Sequence, residues 1–286
     1  MNPFEEDKVK HSQDNSFNFS LPNYNFTVDL PSKGLYYTQE HPLYSKEYIE
    51  LKHVTGKEEA ILTNKDYIRK GIVLDKFIQA LFVDQRLIFP NIYGELLLND
   101  KFAILLAARI NAYSNQYKTG VTCPKCKQDS TFSFDLSNHK SLNGYYDLSD
   151  EDKEKITKLA NNAFRVKLPQ CELNISLKLL SIKEEQEIIK KSKKLKNKDD
   201  SLTFKEQFID VLIDIEGNTS FEAKDYFLDR VPAIDLFYIR TISEKLNPKI
   251  NLEQDFTCPH CEYETTEFTM PITESFLFPH LNLGKS

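Results

Sequence analysis

The sequence predicts an α+β fold made of two pseudo-repeated lobes, each a β-hairpin, helices and a short cysteine knuckle hairpin, joined by a zinc-ribbon-like four-cysteine site. Three pairs of segments carry that expectation. FTVDLPSKGLYY from Phe26 is echoed by FRVKLPQCELNI from Phe164, so that VDLP ending at Pro31 matches VKLP ending at Pro169. IELKHVTGKEEAIL from Ile49 is echoed by ISLKLLSIKEEQEI from Ile175. VTCPKCKQDSTFSFD (Val121–Asp135) and FTCPHCEYETTEFTM (Phe256–Met270) each hold a C-P-x-C unit, with Cys123 matched to Cys258 and Cys126 to Cys261.

Taken in order, residues 1–21 are polar and read as a mobile arm, 22–136 as a first repeat ending in the CPKC knuckle, and 137–163 as a polar connector. Residues 164–272 read as a second repeat ending in the CPHC knuckle, and 273–286 as a docking tail. Each repeat opens with alternating strand-like segments. Thr55 with Glu58, and Ser181 with Glu184, then form capping boxes that start helices at equivalent places. Leu74, Phe77, Ile78, Leu81 and Phe82 recur at helical spacing. So do Phe204, Phe208, Val211, Leu212 and Ile215, and both stripes read as the core faces of helices. NDKFAILLAARINAY, with Asn99 or Asp100 as its cap, and PAIDLFYIRTISEKL, with Pro232 in its first turn, read as the helices that lead into the two cysteine units.

Composition limits the function classes. With 286 residues, 40% of them hydrophobic and including 20 Phe and 14 Tyr, the chain can bury a sizeable core. Lys and Arg number 37 against 43 Asp and Glu, a net charge of −6, so no general attraction to nucleic acid or anionic lipid is expected. The longest apolar runs, such as Phe102 to Ile110, fall well short of the roughly 20 residues that span a bilayer. The N-terminal stretch MNPFEEDKVKHSQDNSFNFS lacks the apolar core of a secretory signal, which points to synthesis in a cytosol.

Four of the five cysteines lie in the C-P-x-C units, and three readings compete for them. Cys-Pro-His-Cys is also the dithiol of DsbA-class thiol oxidases, but such a dithiol needs a helix N-terminus to hold its thiolate, and Glu262 to Thr269 alternates like a strand. A metal reading uses the same context. Two thiolates on a tight turn between strands make half of a structural Zn2+ site, and Cys123, Cys126, Cys258 and Cys261 supply the four ligands, although the pairs lie far apart in the chain. Empty, reduced cysteines are the third reading. His260 is not expected to be a ligand, because Lys125 stands at its equivalent position.

Other features carry less. The run KKSKKLKNK (Lys190–Lys198), followed by Asp199 and Asp200, reads as a solvated helix end. The six histidines form no spaced ligand set, and the glycines form no phosphate-cradling loop. Cys171, close to Pro169, reads as a small buried thiol in a strand. No residue set marks an enzyme.

LPSKGLYY, IELKHVTGKEEAILTN, GIVLDKFIQALF and the helix NDKFAILLAARINAY leading into VTCPKC resemble, in that order, the T4-type bacteriophage baseplate hub subunits and hub-assembly proteins. The resemblance spans about Phe26 to Leu136 and, more loosely, the second copy. It implies a non-enzymatic tail protein, made in the host cytoplasm, that builds the central hub of a contractile-tail baseplate and whose partners are other hub and tail proteins. On that reading the termini dock on neighbours, with Phe17, Phe19, Phe276, Leu277 and Phe278 as anchors, or the tail folds back on its own core. The alternative function is a nucleic-acid-binding zinc-ribbon regulator, against which Asp129, Asp135, Glu262, Glu264 and Glu267 ring the knuckles with acid.

Overall fold

The computed structural model describes residues 24–195, 208–272 and 276. Helices and small antiparallel sheets are mixed along the chain, an α+β arrangement. Strands β1 (Asn25–Asp29) and β2 (Tyr48–Lys52) pair from Asn25↔Lys52 to Asp29↔Tyr48, each turning alternate residues inward as a half-buried hairpin requires. The connecting loop contains Gly34 at φ 69, where any Cβ would run into the backbone at Leu43 and Lys46, so LPSKG needs its glycine.

The capping box at Thr55 and Glu58 opens α1 (Gly56–Leu62), which is followed by α2 (Lys65–Lys70) and α3 (Val73–Leu81). Phe77, Ile78 and Leu81 of α3 are buried, with Phe82 just beyond, as the spacing predicts. A short α4 (Pro90–Tyr93) precedes α5 (Leu98–Ala112), which leads into the hairpin of β3 (Gln116–Thr122) and β4 (Asp129–Asp135).

In the stretch read as a polar connector lie β5 (Lys140–Asn143), α6 (Asp150–Glu154) and β6 (Ile156–Lys158). Strand β6 joins β7 (Ala163–Lys167), β8 (Asn174–Lys178) and β9 (Leu212–Ile215) in a four-stranded antiparallel sheet. Helix α7 (Ile182–Leu195) follows β8. At its start the Ser181 N–H donates to the Glu184 carboxylate at 3.0 Å, matching the Thr55 N–H to Glu58 at 3.1 Å. Helices α8 (Phe221–Arg230) and α9 (Ala233–Leu246) lead to β10 (Pro248–Asn251), which pairs with β5, and to the hairpin of β11 (Glu253–Thr257) and β12 (Glu264–Thr269).

Three local expectations fail. Leu212 and Ile215 lie on β9 rather than on a helix and Val211 leads directly into that strand, whereas Phe208 is helical as expected and Phe204 lies outside the described residues. Val211, Ile213 and Ile215 are β-branched, the free edge of β8 supplies hydrogen bonds, and Glu216 and Gly217 turn the chain with φ of 48 and 82. Asp100 does not cap α5. The helix begins at Leu98, whose N–H is taken by the Leu180 carbonyl at 3.2 Å, and Asp100 points into the core. Cys171 sits in the β7–β8 turn, not in a strand.

The two halves do not keep separate cores. The larger core joins Leu51, Phe82 and Ile104 from the first half to Phe164, Ile175 and Ile239 from the second. Backbone hydrogen bonds Ile182 N–H to Leu96 O and Lys183 N–H to Gly94 O, both 2.9 Å, cross the boundary. So does Lys101, whose Nζ lies 3.1 Å from Asp75 and 2.7 Å from Glu185. A smaller second core gathers α5, β3, β4, β11 and residues near β12. Among the described residues no helix is long and apolar enough to cross a membrane.

Candidate metal centre

Each cysteine pair sits in the turn of its hairpin, and the two turns are built alike. The Cys123 N–H donates to the Gln128 carbonyl, and the Lys127 N–H to the Cys123 carbonyl, both at 3.0 Å. The Cys258 N–H donates to the Tyr263 carbonyl at 2.9 Å, and the Glu262 N–H to the Cys258 carbonyl at 3.0 Å. Lys127 and Glu262, each directly after its second cysteine, adopt the left-handed conformation with φ of 61 and 56 and swing the chain back into β4 and β12. These contacts repeat at the offset that relates Cys123 to Cys258. Strand, turn and strand surround both pairs, so neither Cys123 nor Cys258 opens a helix.

The turns face each other within one chain. The Sγ atoms of Cys123, Cys126, Cys258 and Cys261 all lie within 4.8 Å of one another. Cys123 Sγ is 3.8 Å from Cys261 Sγ, and Cys126 Sγ is 3.7 Å from Cys258 Sγ. Exchanging the two knuckles maps the first contact onto the second, as a local two-fold axis would. Both separations far exceed the roughly 2.05 Å of a disulfide. Four sulfurs about 2.3 Å from one zinc, at the corners of a tetrahedron, would stand about 3.8 Å apart. The cluster therefore fits a metal ion, and its donors are those of a soft structural site.

Burial and charge act on the cluster together. Cys123 and Cys258 are buried, Cys126 and Cys261 half-buried, against Leu106, Val121, Phe134 and Phe256. Burial pushes the Cys123 thiol up, but the backbone N–H groups of Cys126 and Lys125 and the Cys258 and Cys126 thiols outweigh it and bring Cys123 down to about 6. At Cys261 the Tyr263 N–H acts downward, but burial and the other three sulfurs push it up to about 12. Thiols this close lose their protons in sequence, the first thiolate opposing the rest, and a bound cation removes that opposition.

His260 is exposed and lies outside the cluster. Of the predicted docking anchors, Phe276 is buried at 2% exposure in the second core, edge-on to Tyr117 at 5.4 Å. Phe17, Phe19, Leu277 and Phe278 lie outside the described residues.

Sequence reasoning missed two matched carboxylates. Asp100 on α5 accepts from the Ser32 N–H at 3.1 Å, the Ser32 hydroxyl at 2.5 Å and the Tyr37 hydroxyl at 2.6 Å. Asp235, at the equivalent place on α9, accepts from the N–H groups of Gln170 and Cys171 at 2.8 and 2.9 Å. Both are fully buried, and each ties its helix to the loop after an L-P pair. The offset between the cysteine units, which also relates Asp100 to Asp235, was the signal that could have found them.

The family model described as "T4 bacteriophage base plate protein" matches residues 21–278, across both halves. No curated protein and no solved structure matches the chain.

Proposed function

The chain belongs to the T4 bacteriophage base plate protein family, and from that premise we propose that it is a non-enzymatic structural or assembly component of the hub of a contractile-tail baseplate. The family match carries this reading, because it runs from residue 21 to residue 278 and so takes in both cysteine hairpins rather than one motif. The chain acts through contacts with other tail proteins, is made in the host cytoplasm and works at the tail baseplate. Exposed Phe221, Tyr226, Ile234 and Phe237 on α8 and α9 are apolar material of the kind that protein contacts use.

In the same reading Cys123, Cys126, Cys258 and Cys261 hold one structural zinc, supported by their spacing and shared burial. When bound, the ion supplies four coordinate links that close the long loop between Cys126 and Cys258 and join the two hairpins. The residues do the rest: the left-handed turns bring the chain back into β4 and β12, and the surrounding apolar side chains bury Cys123 and Cys258.

The test has two parts. Tagged protein co-expressed with the tail proteins of its phage should recover baseplate hub subunits, and recovery of none would overturn the role. Protein purified without chelator should contain about one zinc per chain; none would overturn the metal assignment.

A further inference from the structure

Arg109 breaks the pattern of matched halves. It is 4% exposed, and among the described residues its hydrogen bonds go to backbone carbonyls: Nε to Phe276 at 2.7 Å, Nη1 to Ser114 at 2.8 Å and Nη2 to Gln116 at 3.3 Å. A guanidinium so enclosed is costly unless its donors are satisfied, and the Phe276 carbonyl is the acceptor for Nε. The offset that matches the cysteines matches Arg109 to Glu244, which is exposed and paired with Lys249 at 2.9 Å. At that place the second half has no such grip.

Phe276 occupies the position Arg109 holds for it. Its ring meets Tyr117 edge-on, and the Tyr117 hydroxyl donates to the Pro271 carbonyl at 3.2 Å, so the chain is held before Phe276 as well as at it. The same small core contains Leu106, Val121, Cys123, Phe256, Cys258 and Met270. The walls of this socket are two-stranded hairpins, which are marginal alone. Whatever fixes the hairpins fixes the socket.

We propose that Arg109, Tyr117 and Phe276 form a latch tying Phe276 to the four-cysteine centre, so that metal binding and docking of Phe276 stabilise each other. The latch rests on the metal reading above. Its reciprocity follows from linkage: if the ion orders the socket that holds Phe276, then Phe276 raises affinity for the ion by the same factor. Metal occupancy thereby sets how firmly Phe276 is held in its socket.

The test uses the full chain, freed of metal and titrated with Zn2+ against a chromophoric chelator, with hydrogen exchange in parallel. Added Zn2+ should slow exchange in the hairpins, residues 116–135 and 253–269, and in the peptide ending at Phe276. Phe276→Ala should still bind one Zn2+ but at least about fivefold more weakly, whereas Ile68→Ala, at an exposed site, should bind as wild type does. Equal affinity in Phe276→Ala and wild type, or a C-terminal peptide indifferent to Zn2+ while the hairpins respond, overturns the latch and leaves the metal reading standing. Failure of the wild type to bind Zn2+ overturns both. The exchange measurement on wild-type protein needs no variant, so a Phe276→Ala chain that fails to fold does not block the decision.

Discussion

Asp100 and Asp235 occupy matched places on α5 and α9 but meet different donors, and the difference sets their chemistry. Burial pushes the Asp100 carboxyl up, against the pull of Ser32 and Tyr37. Burial also pushes Asp235 up, but there the Gln170 N–H and the thiol and N–H of Cys171 outweigh it and hold the carboxyl below its usual range. Hydroxyls can turn and accept from an amide, whereas a backbone N–H cannot. Asp235→Asn should therefore cost about 1 kcal/mol, because one part-buried N–H loses its acceptor, and Asp100→Asn should cost less. The pH dependence has opposite signs. The Asp235 contribution is present above the unfolded carboxylate pKa of about 3.9 and is lost as pH falls through the depressed folded value. The Asp100 contribution is full below the unfolded value and lost as pH rises through the raised folded value. Melting temperatures measured against pH should show the gap between wild type and Asp235→Asn closing in acid; a gap independent of pH would contradict the assignment.

Helices α5 and α9 show how one pattern is read two ways. Phe102 and Leu106 on α5 pack on the cysteine core while Ala103, Ile104 and Ala108 pack on the main core, so α5 is covered on both sides. The matched residues on α9 are Phe237 and Thr241, and Phe237 is 66% exposed. A helix covered on two faces needs apolar residues on both, and α9 keeps only one such face, formed by Ile239, Ile242 and Leu246. Phe237→Glu should leave the stability within about 0.5 kcal/mol of wild type while reducing recovery of tail proteins. Unchanged recovery would remove this face from the docking surface. The helix starts at Thr55 with Glu58 and Ser181 with Glu184 were legible because their chemistry closes within a single turn of chain. Strand β9 was not, since Leu212 and Ile215 continue the helical spacing of Phe208, and the open edge of β8 together with the β-branched run Val211, Ile213 and Ile215 selects a strand there.

Across the whole chain, the two halves share one large core, and the cysteine hairpins form a smaller one beside it. Chelation, or Cys258→Ser, should therefore loosen the hairpins before the main body, giving a melt with two steps in place of one. A single unchanged transition would mean that the centre holds nothing together. Local spacing and the segment repeats were enough to single out the four cysteines, the strand-turn-strand setting of each pair, the matched helix starts and the family resemblance. Long-range packing alone made the pairs converge within one chain, brought residues of both halves into one large core, turned Phe276 inward and drew Asp100 to Ser32 and Tyr37. The physical reason is range: closing Cys126 onto Cys258, or burying a carboxylate against a loop 68 positions away, depends on how every element packs and not on any local pattern.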